Sequence, residues 1–243
     1  MRRAVLVVAA LALALPGATS AGGGITVFAA ASLASVLPKI DAAPRYSFAG
    51  SDSLALQLRN GAPADVYASA SPAQPEALFR DRLVSKPQWF ATNTLVVVVP
   101  RSNPTHIKTV FDLRKRGLKL VVGDATVPIG VYTRHVLRRL AIAHAVFANV
   151  ASEQTDVKGI VAAVALGQAD AGFVYATDAR AAAANVKTIA IPTRAQPDVR
   201  YEIAVVKASG NTAAAYAFVR EVLSQRGRKQ LLASGFGVPP LRR

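Results

Sequence analysis

The stretch Ile25-Thr-Val-Phe-Ala-Ala-Ala-Ser32-Leu33 decides how this chain is read. A short apolar run rich in β-branched residues breaks at three alanines into a serine, and Leu33, Val36, Leu37 and Ile40 then follow at helical spacing. The pattern predicts a buried strand, a tight small-residue turn and a short helix with Ser32 as its N-cap. Such a helix end gathers N–H groups without intrahelical partners at the positive pole of the helix dipole, which favours anions. For this stretch alone a plain capping serine is the simpler account, and only the rest of the chain separates a cap from an anion site.

The pattern recurs. Tyr46-Ser-Phe48 reads as a second strand that passes through Ala49-Gly50-Ser51 into a helix carrying Leu54, Ala55 and Leu58 and closed by Asn60-Gly61. Ser51 is again placed as an N-cap. Asp52 beside it would repel a bound dianion, but in a first helical turn it can point outward and favour the dipole. Residues 61–70 form a turn and a strand, 74–79 a helix, and 83–89 have strand and turn character. The continuous apolar run at 94–100 predicts a buried strand of a mostly parallel sheet.

A short helix is expected at 110–116 and a strand at 118–122, followed by a third strand-to-helix turn at 123–132. Pro128 suits the first helical position there because it has no N–H to leave unpaired. Asp156 is placed as an N-cap with Val157 in the first turn. Gly172-Phe-Val-Tyr175 is a buried strand with Tyr175 at its end, where such sheets present ligand groups. Tyr175 reads equally as a core tyrosine or as a ligand donor, and Asp178 as a helix cap. Strands at 187–191 and 201–206 and helices at 212–223 and 227–233 complete the chain.

The first residues have the form of a cleavable export signal. Arg2 and Arg3 are a basic start, residues 4–15 an unbroken apolar run, and 16–21 a small-residue segment with cleavage near Ala21. The run is shorter than the roughly 20 residues that span a bilayer. The sequence has no cysteine, which excludes a lipidated cysteine, a disulfide framework and thiolate metal chemistry. The formal charge of +15 is dispersed over the chain, and the few aromatics are not interleaved with it, so solvated helix faces explain it better than nucleic-acid binding. His106, His135 and His144 fall in no ligand-spaced cluster such as H-E-x-x-H, which leaves an exported enzyme without support.

The ordered fragments VFAAAS, FAGS and GAPADVYASA behind a signal peptide resemble the molybdate-binding proteins of bacterial ABC transporters, in the type II periplasmic binding protein superfamily. The resemblance implies an α/β fold of two lobes joined by a hinge, each a mixed, mostly parallel sheet flanked by helices, with an oxyanion held in the interlobe cleft. It divides the chain into a signal peptide at 1–21, lobe I at 22–95 and 207–243, and lobe II with the crossings at 96–206. The family's V-P-x-G-x-Y motif falls at Val127 to Tyr132 and its GxVYxTDA motif at Gly172 to Ala179.

Carried over residue by residue, the resemblance implies that the anion is held by the hydroxyls of Ser32, Ser51 and Tyr175 and the main-chain N–H groups of Ile129 and Val157. Isoleucine at 129 stands where the family often has a small residue, and either narrows the cleft or packs outward. Lys158 stands where the family commonly has arginine. The implied ligand is molybdate or tungstate, with no cofactor, no bare metal cation and no catalytic residue. The implied partner is an ABC-transporter permease, and the expected protein is a periplasmic monomer. The same fold also serves in anion-sensing regulators, but the signal peptide and the lack of a DNA-binding segment argue against that use.

Overall fold

Strands and helices alternate throughout residues 24–240, which are the residues that the computed structural model describes; the expected signal at 1–21 lies outside them. In order come β1 (Thr26–Ala30), a 3-10 turn (Ala31–Leu33), α1 (Leu37–Ile40), β2 (Arg45–Ala49), α2 (Ser51–Arg59), β3 (Val66–Ser69), α3 (Ala73–Arg80), β4 (Gln88–Asn93) and β5 (Leu95–Pro100). A second 3-10 turn (Val110–Arg114), β6 (Leu120–Gly123), α4 (Pro128–Arg139), α5 (Ala143–Phe147), β7 (Val150–Gln154), α6 (Val157–Ala165), β8 (Ala171–Tyr175), α7 (Ala176–Ala181) and β9 (Val186–Ala190) come next. A third 3-10 turn (Thr193–Ala195), β10 (Val199–Val205), α8 (Thr212–Leu223) and α9 (Gln225–Ala233) end the described chain.

The strands form two five-stranded sheets of the same plan, ordered β2-β1-β3-β10-β4 and β7-β6-β8-β5-β9. In the first, β1 pairs parallel with β2 and β3, and β10 pairs antiparallel with β3 and β4. In the second, β6 pairs parallel with β7 and β8, and β5 pairs antiparallel with β8 and β9. The sheets are therefore mixed in equal parts rather than mostly parallel. The apolar run of β5 reflects burial, since Val97, Val98 and Val99 are all buried, and not parallel pairing.

The chain crosses between the sheets twice. Only Thr94 separates β4 in the first sheet from β5 in the second, and residues 191–198 lead from β9 back to β10. The division expected at 206/207 would leave β10 with the second lobe, whereas this strand pairs wholly within the first sheet. Its position follows from hydrogen bonding between distant strands, which no local pattern announces.

Alternation along β1 shows how the sequence builds the layers. Val27 and Ala29 face the main apolar core, while Phe28 faces a smaller cluster with Leu54, Leu58, Tyr67, Leu78 and Val84 under α2 and α3. Fully burying one such large side chain contributes roughly 1.5–3 kcal/mol. The helix expected from Ser32 is instead a 3-10 turn followed by a fresh start at α1. Pro38 in the first turn of α1 explains the break, because it has no N–H with which to continue a helix from upstream. The expected helix at 110–116 is likewise a 3-10 turn, held by a capping box between Thr109 and Asp112. α2 ends as expected, with Gly61 in the left-handed region at φ 81°.

Candidate functional site

The loops after β1, β2 and β3 in the first sheet meet those after β6, β7 and β8 in the second around a small cavity. Ser32, Ser51 and Ala70 line it from one side and Ile129, Val157 and Tyr175 from the other. The structure thus brings together all five positions singled out in the sequence, from Ser32 near the start of the chain to Tyr175 deep in its second half.

Neither serine is an N-cap. Ala30 caps the first 3-10 turn and Gly50 caps α2, so both Ser32 and Ser51 stand further into their turns than the sequence pattern suggests. This leaves both side chains free of capping. Ser51 Oγ accepts a hydrogen bond from the Ala70 N–H at 3.1 Å, and Ser32 Oγ lies 3.0 Å from the Tyr201 hydroxyl. Both serines are 1% exposed.

On the opposite wall, the first-turn N–H groups of Ile129 and Val157 have no intrahelical acceptor. Pro128 occupies the first position of α4 and has no N–H, so Ile129 is the first donor of that helix. Its side chain packs toward Gly123, whose missing Cβ leaves room for Ile129 Cγ2. Isoleucine therefore belongs to the core beside the cleft. At α6 the Asp156 carboxylate accepts from the N–H groups of Lys158 (2.8 Å) and Gly159 (3.0 Å), as an N-cap should. That cap uses the N–H groups of the two residues after Val157, and Val157 itself lines the cavity.

Tyr175 closes the site. It ends β8 at 2% exposure, its ring edge-on to Tyr132 and Tyr201, and its hydroxyl has no hydrogen-bond partner among the described residues. An unpaired buried hydroxyl costs roughly 1–3 kcal/mol. Burial, then the neighbouring Tyr201 and Tyr132, push its ionisation well above the ordinary tyrosine range, so it keeps its proton and acts as a donor.

Besides Asp156, which lines the cavity, Asp52 and Asp178 stand in the first turns of helices that begin at it. Thr126 Oγ1 in the second lobe donates to Asp52 Oδ2 at 3.2 Å, so Asp52 reaches across between the sheets rather than simply pointing outward. Asp178 sits inside the first turn of α7 and does not cap it, since Tyr175 is the residue at the cap position. Burial raises the pKa of Asp178, and Lys158, whose Nζ lies 2.7 Å from Oδ1, opposes that rise. None of the three histidines lines the cavity, and among the described residues no group of three His, Cys, Asp or Glu side chains is placed to hold a metal ion.

Sequence reasoning missed Asn93, Thr177 and Tyr201, which form a buried polar cluster behind Ser32. They come from three separate elements, and no spacing in the chain links them. The cavity itself offers hydroxyl and N–H donors without a nucleophile–base pair, a constellation that suits an anion with several oxygens.

Two lobes on matching sheets, with a donor-lined cavity between them, define a two-lobed solute-binding protein. A family model described as bacterial extracellular solute-binding protein matches residues 25–237. The molybdate-binding protein ModA of Mycobacterium tuberculosis (strain H37Rv) is 39% identical over 233 residues, covering 92% of this chain and 88% of the relative. The molybdate-binding protein ModA of Escherichia coli K12 is 34% identical, covering 84% of this chain and 85% of the relative. Among solved structures, the periplasmic molybdate-binding protein of Azotobacter vinelandii matches with a TM-score of 0.80 at 21% identity, covering 89% of this chain and all of that one, which supports the fold. The chain belongs to the bacterial extracellular solute-binding proteins and, within them, to the family of the molybdate-binding protein ModA.

Proposed function

We propose that this protein binds molybdate in the interlobe cavity and delivers it to the membrane permease of an ABC transporter. The observation that carries the reading is the buried, unpaired Tyr175 hydroxyl, which lines the same cavity as the hydroxyls of Ser32 and Ser51 and the helix ends at Ile129 and Val157. The relatives named for molybdate binding supply the choice of oxyanion. A tetrahedral dianion uses donors on every side and needs no full counter-charge at each oxygen. Hydrogen bonds to a charged acceptor contribute roughly 1.5–3 kcal/mol each. Together these donors offset desolvation and lobe ordering and leave binding near about −8 kcal/mol or better, about micromolar or tighter.

Closure of the lobes around the ion produces the form that the permease recognises. The protein acts as an exported monomer released by cleavage near Ala21, with no cofactor and no catalytic turnover. Tungstate binds nearly as well because it matches molybdate in size and charge, while sulfate, with shorter bonds to oxygen, leaves the same donors out of reach. Calorimetric titration of the purified protein with molybdate, tungstate, sulfate and phosphate tests this directly. Tightest binding of sulfate or phosphate overturns the assignment of substrate, and turnover of any of them overturns the assignment as a binding protein.

A further inference from the structure

Behind Ser32 a chain of buried polar groups has its hydrogen-bond directions fixed from one end. Asn93, the last residue of β4, is 8% exposed and its Oδ1 accepts from the Thr94 N–H at 3.0 Å. A backbone N–H can only donate, so this bond orients the amide and leaves Nδ2 facing Thr177 Oγ1 at 2.9 Å and the Tyr201 hydroxyl at 3.3 Å. The Tyr201 oxygen therefore accepts from Asn93, and its own proton needs an acceptor. Ser32 Oγ, at 3.0 Å, is the acceptor in hydrogen-bond contact with it. Once Ser32 Oγ accepts from Tyr201, the serine proton is free to point into the cavity.

The tyrosine is held to this task. Tyr201 is fully buried, with its ring edge-on to Phe90, Tyr175 and Phe236 at centroid distances of 6.1, 5.9 and 5.5 Å. Burial keeps it protonated well above the ordinary range, so it remains a donor at any physiological pH. The cluster also straddles the junction of the lobes: Asn93 and Tyr201 belong to strands of the first sheet, and Thr177 belongs to α7 on the second.

We infer that Asn93 and Tyr201 are positioning residues, forming a relay in which Asn93 donates to Tyr201 and Tyr201 to Ser32, so that Ser32 always presents its proton, never a lone pair, to the bound oxyanion. The inference rests on the reading of the cavity as an oxyanion site. Without the relay the Ser32 hydroxyl loses the bond to Tyr201 that fixes its direction and is no longer organised before the ligand arrives.

Calorimetric titration with sodium molybdate of the full exported chain, Tyr201→Phe, Ser32→Ala and the double variant tests this, with thermal melts of each unliganded protein to show that it folds. Tyr201→Phe keeps the ring and removes only the hydroxyl. The relay predicts a loss of affinity of about tenfold in the otherwise unchanged protein, and less than about twofold when Ser32 is already alanine. A packing role of the tyrosine gives the same loss in both backgrounds and overturns the relay, as does a Tyr201→Phe variant that binds as tightly as the parent. Should Tyr201→Phe not fold, Asn93→Ala passes through the same cycle with the same expected pattern. A folded parent protein that does not bind molybdate overturns the oxyanion reading itself, and that result is visible before any variant is compared.

Discussion

Gly50, at the head of α2 in the first lobe, lies against the main-chain carbonyl oxygen of Thr155 in the second, so closely that no Cβ fits between them. The φ of Gly50 is −58°, which any residue adopts, so close approach and not backbone strain explains a glycine here. Gly50→Ala is expected to hold the lobes apart at this point. Its unliganded fold should melt within a few degrees of the parent, while molybdate affinity falls by tenfold or more, as read by calorimetry. Unchanged affinity would show that the contact plays no part in closure.

Tyr175→Phe separates binding from stability in the opposite way. The hydroxyl has no partner among the described residues, so its removal relieves a buried unpaired group. The unliganded variant should melt at the same temperature as the parent or slightly higher, yet bind molybdate about tenfold more weakly, since a bond to a charged acceptor is worth at least the roughly 1.4 kcal/mol of a tenfold change. A variant both less stable and undiminished in affinity would make Tyr175 a core tyrosine.

Ser51→Ala and Ser32→Ala should each lower affinity about tenfold or more. Each also removes the acceptor of a buried donor in the unliganded protein, the Tyr201 hydroxyl for Ser32 and the Ala70 N–H for Ser51. Ser51→Ala leaves the buried N–H of Ala70 without its acceptor and is expected to lose about 1–3 kcal/mol of stability in denaturant titration. Full affinity in both variants would remove the serines from the site.

Lys158→Ala strips the counter-ion from Asp178, whose side chain is completely buried while that of Lys158 is 40% exposed. Removing one partner of a fully buried pair costs roughly 3–5 kcal/mol. With one partner partly in water the expected loss is about 2 kcal/mol. Lys158→Arg should recover most of it. Equal stability of Lys158→Ala and the parent would refute the pairing.

Glu202 on β10 gives the protein a pH dependence unrelated to the ligand. Burial, and then the charge of Glu76, push its pKa from 4.5 to about 7. The folded state holds this proton over a range in which the unfolded chain has lost it, so stability falls as pH rises from about 4.5 through about 7. Glu202→Gln is expected to raise the melting temperature at about pH 8 and to leave it unchanged near about pH 4, where the glutamate is protonated in both states. An equal shift at both pH values would place the effect elsewhere.

Much of this protein is legible in its sequence because its determinants are local. The apolar run of β1, the strand ending at Tyr175, the Asp156 cap and the Asn60-Gly61 stop of α2 each follow from a few neighbouring residues. The sequence pattern places the caps at Ser32 and Ser51 instead of Ala30 and Gly50, because a serine fits a cap or the first turn equally well by composition, and only backbone dihedrals distinguish them. It also suggests parallel pairing for β5, which is antiparallel to both neighbours, because burial on both faces makes the same apolar run in either pairing.

The sequence by itself determined most of the strands and helices and the resemblance to a family, and that resemblance picked out the five positions that line the cavity, while α5, β7 and the 3-10 character of two expected helices were not legible in it. Only the tertiary structure decided that β10 lies in the first sheet, that Gly50 meets Thr155 and that Asn93 and Tyr201 stand behind Ser32. Those relationships join residues as much as 169 positions apart, and they exist only once the chain has crossed between the two sheets and the sheets have closed on each other. Ser32 begins as a residue that any helix end accommodates, and the packing of distant strands gives its proton a direction.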